Sequence, residues 1–410
     1  MNIPLRLPVI SVLIAGFLLV VFLFFNTGLG RMHSAENHFR LALIHIQNDK
    51  LANANLEIDE ALRISPDNAY YVSIKGLIFA RIAEREAGGG LFTLFLNGTP
   101  RAGQINQEHI GNAIVYYQKA VSLNPRDGLF RHNLGWLYWF SDDREQAIAE
   151  FRQAAQSGDK DGIYFISLGL ALERIGDVSG AIEAYGSAIR LFPRILEARF
   201  FADLKKRDAG MSERVINNAI DDLKEKLREK PDPILQARLG RLYLETDLDS
   251  AFTSLNEALN ALPNMSIAWL NLGTWYERKE QLEEAQRCFE RAVLLESSES
   301  LVFAKLGRFY ESRKLLSAAR TQYEKAVAAE LAARSEHSRI ILNLYRAKRA
   351  EANDMVPKGL LAYCRPHVDF AGMCRTLAAF YSEKQNFRRA YYYDAIWKSH
   401  ALETELPGIR

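Results

Sequence analysis

The sequence predicts an all-α chain, a solenoid of helix pairs preceded by a single membrane-spanning helix. Three observations carry that expectation. A period of 34 residues recurs along the chain, which is the signature of stacked repeats. Apolar residues fall at three- and four-residue intervals, and no stretch alternates as a strand would. Pro8 to Phe25 is an almost unbroken apolar run.

The period is clearest between Gly128 and Pro193. Leu134, Gly135, Tyr138, Ala147, Phe151 and Ala154 return as Leu168, Gly169, Leu172, Ala181, Tyr185 and Ala188, and Pro193 closes the block. Small residues stand where two helices must approach closely, and large ones fill the space around them. One block cannot bury its apolar faces alone, so neighbours must stack.

Leu-Gly-x-x-Tyr, followed by Ala, an aromatic residue, Ala and Pro, resembles the tetratricopeptide repeat. The resemblance implies a right-handed α-α superhelix whose first helices line a concave groove, and a protein or peptide partner in that groove. It extends over nearly everything after residue 35. The first unit carries Leu41, Ala42, Ala54, Ile58, Ala61 and Pro66. The second has Gly76 and Phe79 on one helix and Ala113, Tyr117 and Ala120 on the other. Between Gly76 and Ala113 lie 37 residues where Gly135 and Ala147 are 12 apart, so about 25 are inserted. That insert, at about 86–109, holds three glycines and then Leu91 to Leu96. It is expected to fold back over the groove or to touch a membrane surface, or else to be a plain loop.

The fifth unit is irregular, with Phe200 and Phe201 on its first helix and a second helix starting near Ser212. The sixth, seventh and eighth units centre on Gly240, Gly273 and Gly307. The pattern then decays. His337 to Ala350 reads as a helix, Pro357 to Cys364 as a short partner, and a last unit carries Leu377, Tyr381, Ala390 and Trp397. The chain therefore divides into a short tail at 1–6, an anchor at 7–27, a solenoid of about eight repeats at 35–331, and degenerate repeats with a cap at 332–404.

Eighteen apolar residues in a helix reach roughly 27 Å, enough for a bilayer core. A cleaved signal peptide is the competing reading, but the run exceeds the usual apolar core of such signals. Charges around the span hardly favour either orientation. The short leader favours a cytosolic tail with the solenoid outside the cytoplasm, which in a bacterium means an inner-membrane protein facing the periplasm.

The net charge of +2 gives no pull towards nucleic acid. No phosphate loop, nucleophile elbow, metalloprotease motif or Cys-x-x-Cys occurs, so neither a catalytic centre, a cofactor, a metal nor a small-molecule substrate is expected. His33, His38 and His45 read as solvated polar residues. Cys288 reads as a small buried residue. Cys364 and Cys374 bracket a short turn and are candidates for a disulfide in an oxidising compartment, with two separate thiols as the alternative.

Two residue sets are candidates for binding. Arg174, Arg241, Arg278 and Arg308 recur on first helices, with Glu173, Glu245 and Glu277 beside them, and would give the groove mixed charge. His132, Trp136, Trp139 and Phe140 form a second stripe, about 140° from the packing stripe of their helix. They are either the anchors of a groove or a surface covered by the insert or a neighbouring helix. The expected function is a membrane-anchored scaffold or assembly factor of the bacterial envelope that holds a protein partner. The alternatives are an accessory domain of a glycan export or ligation system, and a cytosol-facing chaperone-docking adaptor.

Overall fold

The computed structural model describes residues 28–88, 90–96, 98, 105–157, 161–296, 300–344, 356, 360, 363 and 370–404. The expected anchor at 7–27 lies outside them. Among the described residues no helix is long and apolar enough to cross a membrane, and there is no strand.

The helices come in antiparallel pairs, and the chain divides into two compact units. Unit 1 comprises residues 1–159 together with 351–358. It holds α1 (Gly28–Gln47), α2 (Leu51–Ile64), α3 (Ala69–Glu86), the short α4 (Leu91–Leu96), α5 (Gln107–Leu123), α6 (Gly128–Phe140) and α7 (Arg144–Ala155). Unit 2 comprises 160–350 together with 359–410. It holds α8 (Gly162–Arg174), α9 (Val178–Leu191), α10 (Arg199–Arg207), α11 (Ala209–Glu229), α12 (Pro233–Tyr243) and α13 (Leu248–Ala261). It continues with α14 (Ser266–Arg278), α15 (Leu282–Leu295), α16 (Ser300–Ser312), α17 (Leu316–Leu344), α18 (Phe370–Glu383) and α19 (Phe387–Thr404).

Local chemistry sets the boundaries. Asp127, Asp161, Asp177, Asp208, Asp232 and Asp247 each stand just before a helix and accept its first free N–H groups; acceptors of this kind are the preferred N-caps. Within most pairs the turn contains one left-handed residue. Asp49, Asp142, Gly176, Glu280, Lys314 and Gln385 all have positive φ, and each follows its repeat's Ala or Gly by seven residues.

Packing within a pair depends on that glycine. A Cβ on Gly135 would lie 2.7 Å from the Phe151 ring, and one on Gly307 would lie 2.6 Å from Tyr323. The first helix therefore lies directly on the aromatic ring of the second. In unit 2 these rings join a continuous core through Phe289, Phe309, Tyr323 and Leu377.

Two boundaries differ from the expectation. The fifth repeat inserts a 3₁₀ turn (Pro193–Glu197) before α10, and α11 starts at Ala209 rather than near Ser212. The helix expected at 337–350 does not start afresh. α17 runs unbroken from Leu316 to Leu344, because no Gly or Pro interrupts the sequence there.

Candidate functional site

The aromatic stripe of α6 is buried. Among its residues His132 and Trp136 are 0% exposed, Trp139 5% and Phe140 4%. The expectation of an open aromatic groove is thereby corrected: the insert covers it. Phe92 and Phe95 of α4 meet the Trp136 ring edge-on at 5.9 and 5.1 Å, and Phe95 meets Trp139 at 5.6 Å. Edge-on contacts of this kind stabilise beyond simple area burial.

Six residues are too few for a self-sustaining helix, so α4 depends on this contact and on Glu84. That carboxylate accepts the Leu91 N–H at 3.0 Å and pairs with Arg81 at 2.6 Å. On the far side Arg144 stacks on Trp139, its guanidinium 4.0 Å from the ring centroid, and donates to the Trp139 carbonyl at 2.7 Å. Burial lowers the His132 pKa to about 3, so the ring is neutral, and its Nε2 accepts the Trp136 indole N–H at 3.2 Å.

The charged set partly converges, on unit 2. Arg241 of α12 is only 8% exposed and lies between Glu245 at 3.0 Å and Glu197 at 3.5 Å. Arg278 of α14 donates to the Leu244 carbonyl and to Glu245 at 3.1 Å. Lys305 of α16 approaches Glu197 at 3.8 Å. Burial tends to raise the Glu245 carboxyl, but Arg241 and Arg278 outweigh it and hold the group below the usual range. Burial lowers the Lys305 ammonium against the pull of Glu197. Three successive first helices thus share one ladder of alternating charge. Arg308 is exposed on α16, and Arg174 is exposed at the end of α8.

Sequence reasoning missed Glu197, Lys305 and Asn133. A signal was present for the last two. The residue just before each Leu-Gly pair is Asn133, Ser167, Arg238, Asn271 or Lys305, polar in five units, although it sits on a helix face that faces protein. Asn133, Ser167 and Asn271 are buried. Asn133 donates to the Tyr117 hydroxyl at 3.1 Å, and its carbonyl oxygen accepts the backbone N–H of Val356 at 3.0 Å.

Among the described residues no cluster of three metal-ligating side chains forms, and His38 lies 2.7 Å from Glu57. Cys288 is buried, and burial raises its thiol to about 12. Cys374 is fully buried, while Cys364 lies outside the described residues.

Models of the tetratricopeptide repeat match residues 132–194, and residues 104–127 and 267–299. The chain carries tetratricopeptide repeats. Among curated proteins it is similar to the BBSome complex member BBS4 of Bos taurus, 26% identical over 182 residues, which are 44% of this chain and 34% of that protein. It is also similar to the general transcriptional corepressor ssn6 of Schizosaccharomyces pombe, 31% identical over 90 residues, 22% of this chain and 8% of the other. The match thus spans about a third of the first relative and less than a tenth of the second. Among solved structures, a tetratricopeptide repeat protein from Parabacteroides merdae matches at 15% identity and a TM-score of 0.33, over 68% of this chain and 99% of that one. A MamA protein matches at 21% identity and a TM-score of 0.27, over 42% and 94%. Neither superposes closely. Repeats of this kind are protein-interaction scaffolds, and that is the general role of this chain.

Proposed function

We propose that the chain is a membrane-anchored scaffold or assembly factor that holds a polypeptide partner against the first helices of its repeats, in a bacterial cell envelope. The observation that carries the reading is the charge ladder of α12, α14 and α16. Arg241 and Glu245 are fixed in place by partners, while Arg278 and Arg308 remain exposed beside them. A preorganised, mixed-charge strip suits a polypeptide with both signs of charge, because complementary charge sets register and orientation more than raw affinity. It does not suit a highly charged polyanion. The membrane part of the reading rests on the apolar run from Pro8 to Phe25.

Crosslinking in native membranes followed by mass spectrometry tests the reading. A specific protein should be captured by the wild-type chain and lost when Arg278 and Arg308 are both changed to Glu, with helicity preserved. Capture that survives the change places the partner elsewhere. Alkaline phosphatase fused after Arg410 should be active if the repeats are exported; an inactive fusion reverses the orientation.

A further inference from the structure

In unit 2 the ninth residue after a repeat's Gly or Ala opens the second helix of the pair. It is Leu282 at the start of α15, Leu316 at the start of α17 and Phe387 at the start of α19. α18 continues the stack on α17, since Met373, Cys374 and Leu377 share a core with Tyr323 and Ala326. The turns within these pairs fall on one edge of the stack, because each pair repeats the orientation of the one before. Leu282 packs against the core. Leu316 is 52% exposed and Phe387 67%, and Leu315 is exposed beside Leu316.

α19 extends this bare edge. Tyr391 is 75% exposed, and Tyr392 is exposed next to it. At 100° per residue Phe387, Arg388, Tyr391 and Tyr392 share one arc of the helix. Tyr393 and Ile396 lie on the other side and pack against the core. The exposed aromatic face is therefore not the packing face of the repeat.

The charge on this edge has one sign. Residues 312–317 and 383–392 hold five cations, Arg313, Lys314, Lys384, Arg388 and Arg389, against one acid, Glu383. Arg313 is tied to Glu283 at 3.7 Å, and Arg389 to the Tyr381 hydroxyl at 2.6 Å and Glu324 at 3.6 Å. Lys314, Lys384 and Arg388 are exposed and enter no ion pair among the described residues. The turn of the preceding pair, with Lys279 and Glu280, is balanced.

We propose that the edge formed by residues 314–316 and 384–392 docks on an anionic lipid surface. Leu315, Leu316 and Phe387 enter the boundary of the acyl chains, Tyr391 and Tyr392 lie at headgroup level, and Lys314, Lys384 and Arg388 meet the lipid charge. Each residue type has its favoured place in such an interface. A second copy of the chain fits less well, because a two-fold contact would set these cations against their own copies. A soluble polyanion would use the cations and leave the leucines in water. The inference goes beyond membrane anchoring, since the docked edge belongs to unit 2 and not to the apolar run from Pro8 to Phe25.

The full chain is reconstituted in liposomes of phosphatidylcholine, with or without phosphatidylglycerol, and amide exchange is read by mass spectrometry. Exchange at 312–318 and 384–392 should be roughly ten-fold slower with the anionic lipid than without it, while the turn at 262–265, between two pairs, should not change. Raising salt to about 0.5 M should remove the slowing in the wild-type chain. Lys314→Glu with Arg388→Glu should remove it at low salt, with protection in α16 and α18 intact. Exchange that is unslowed in both liposomes, or slowed equally in both, overturns the proposal. Slowing without liposomes that grows with protein concentration assigns the edge to a second copy and also overturns it. So does slowing by soluble polyglutamate with none by anionic liposomes, which assigns the edge to an acidic protein. A chain that stays in the liposomes with both turns unprotected removes this inference and leaves the anchor reading standing.

Discussion

Glu277 stands where Glu173 and Glu311 stand in their repeats, four residues after the glycine. In those two repeats the second-helix ring is a tyrosine, and its hydroxyl donates to the carboxylate: Tyr185 to Glu173 at 2.7 Å and Tyr323 to Glu311 at 2.5 Å. Opposite Glu277 the ring is Phe289, which has no hydroxyl. Partial burial raises the Glu277 carboxyl, against the pull of Lys305, Arg308 and Arg278. Phe289→Tyr should therefore stabilise the chain by about 0.5–1.5 kcal/mol. It should also lower the Glu277 pKa, followed by carboxyl NMR; a lower melting temperature would mean that the hydroxyl does not reach. The glycines offer a second comparison. Alanine gains up to about 1 kcal/mol over glycine in a helix interior. At Gly111 a Cβ meets nothing within 4 Å, so Gly111→Ala should raise the melting temperature. At Gly273 it would lie 2.7 Å from the Phe289 ring, and overpacking of roughly 1–3 kcal/mol should outweigh the gain. Thermal melts of the two variants should shift in opposite directions.

At the scale of elements, α4 and the stripe beneath it decide what the tryptophans are for. Truncating one buried Trp costs about 3–5 kcal/mol, and a folded unit has only about 5–15 kcal/mol in hand. Trp136→Ala with Trp139→Ala should therefore collapse the melting transition of unit 1. Unchanged melting with lost partner capture would instead restore the open-groove reading. Much of this architecture was legible in the sequence. The glycine, the aromatic sixteen residues later and the small residues between them are imposed by close helix contact, so they recur and can be counted. The length of the insert was legible by subtraction. Its docking was not: the same stripe of Trp and Phe suits an open surface or a covered one, and only the tertiary approach of Phe92 and Phe95 chooses. Asn133 was less legible still. Its ligand is a main-chain N–H, which every residue but proline carries, so no pattern in the sequence marks Val356 as its partner. Lys305 and Glu197 meet across two helix pairs, beyond the reach of local spacing.

For the whole molecule, the cysteines report on the compartment. Export to an oxidising compartment should join Cys364 to Cys374, stabilising the C-terminal pair of helices by on the order of 2–3 kcal/mol. Cys374 is buried in the native state, so the readout is alkylation in denaturant without reductant. Cys288 should label and the pair should not. Labelling of all three would argue for a reducing compartment and against export.

The return of residues 351–358 to unit 1 also fixes an order in time. A growing chain completes α7 long before it contains Val356. At the usual 5–20 residues per second, the interval is on the order of 10–40 s. Throughout it, Asn133 and the surface around it lack their final cover while the helices that carry them are already formed. Nascent chains stalled between α7 and Val356 should therefore show faster amide exchange around Asn133 than chains released at full length. The first unit thus reaches its final hydrogen bonding only when synthesis is nearly over, so its completion is timed by the far end of the chain.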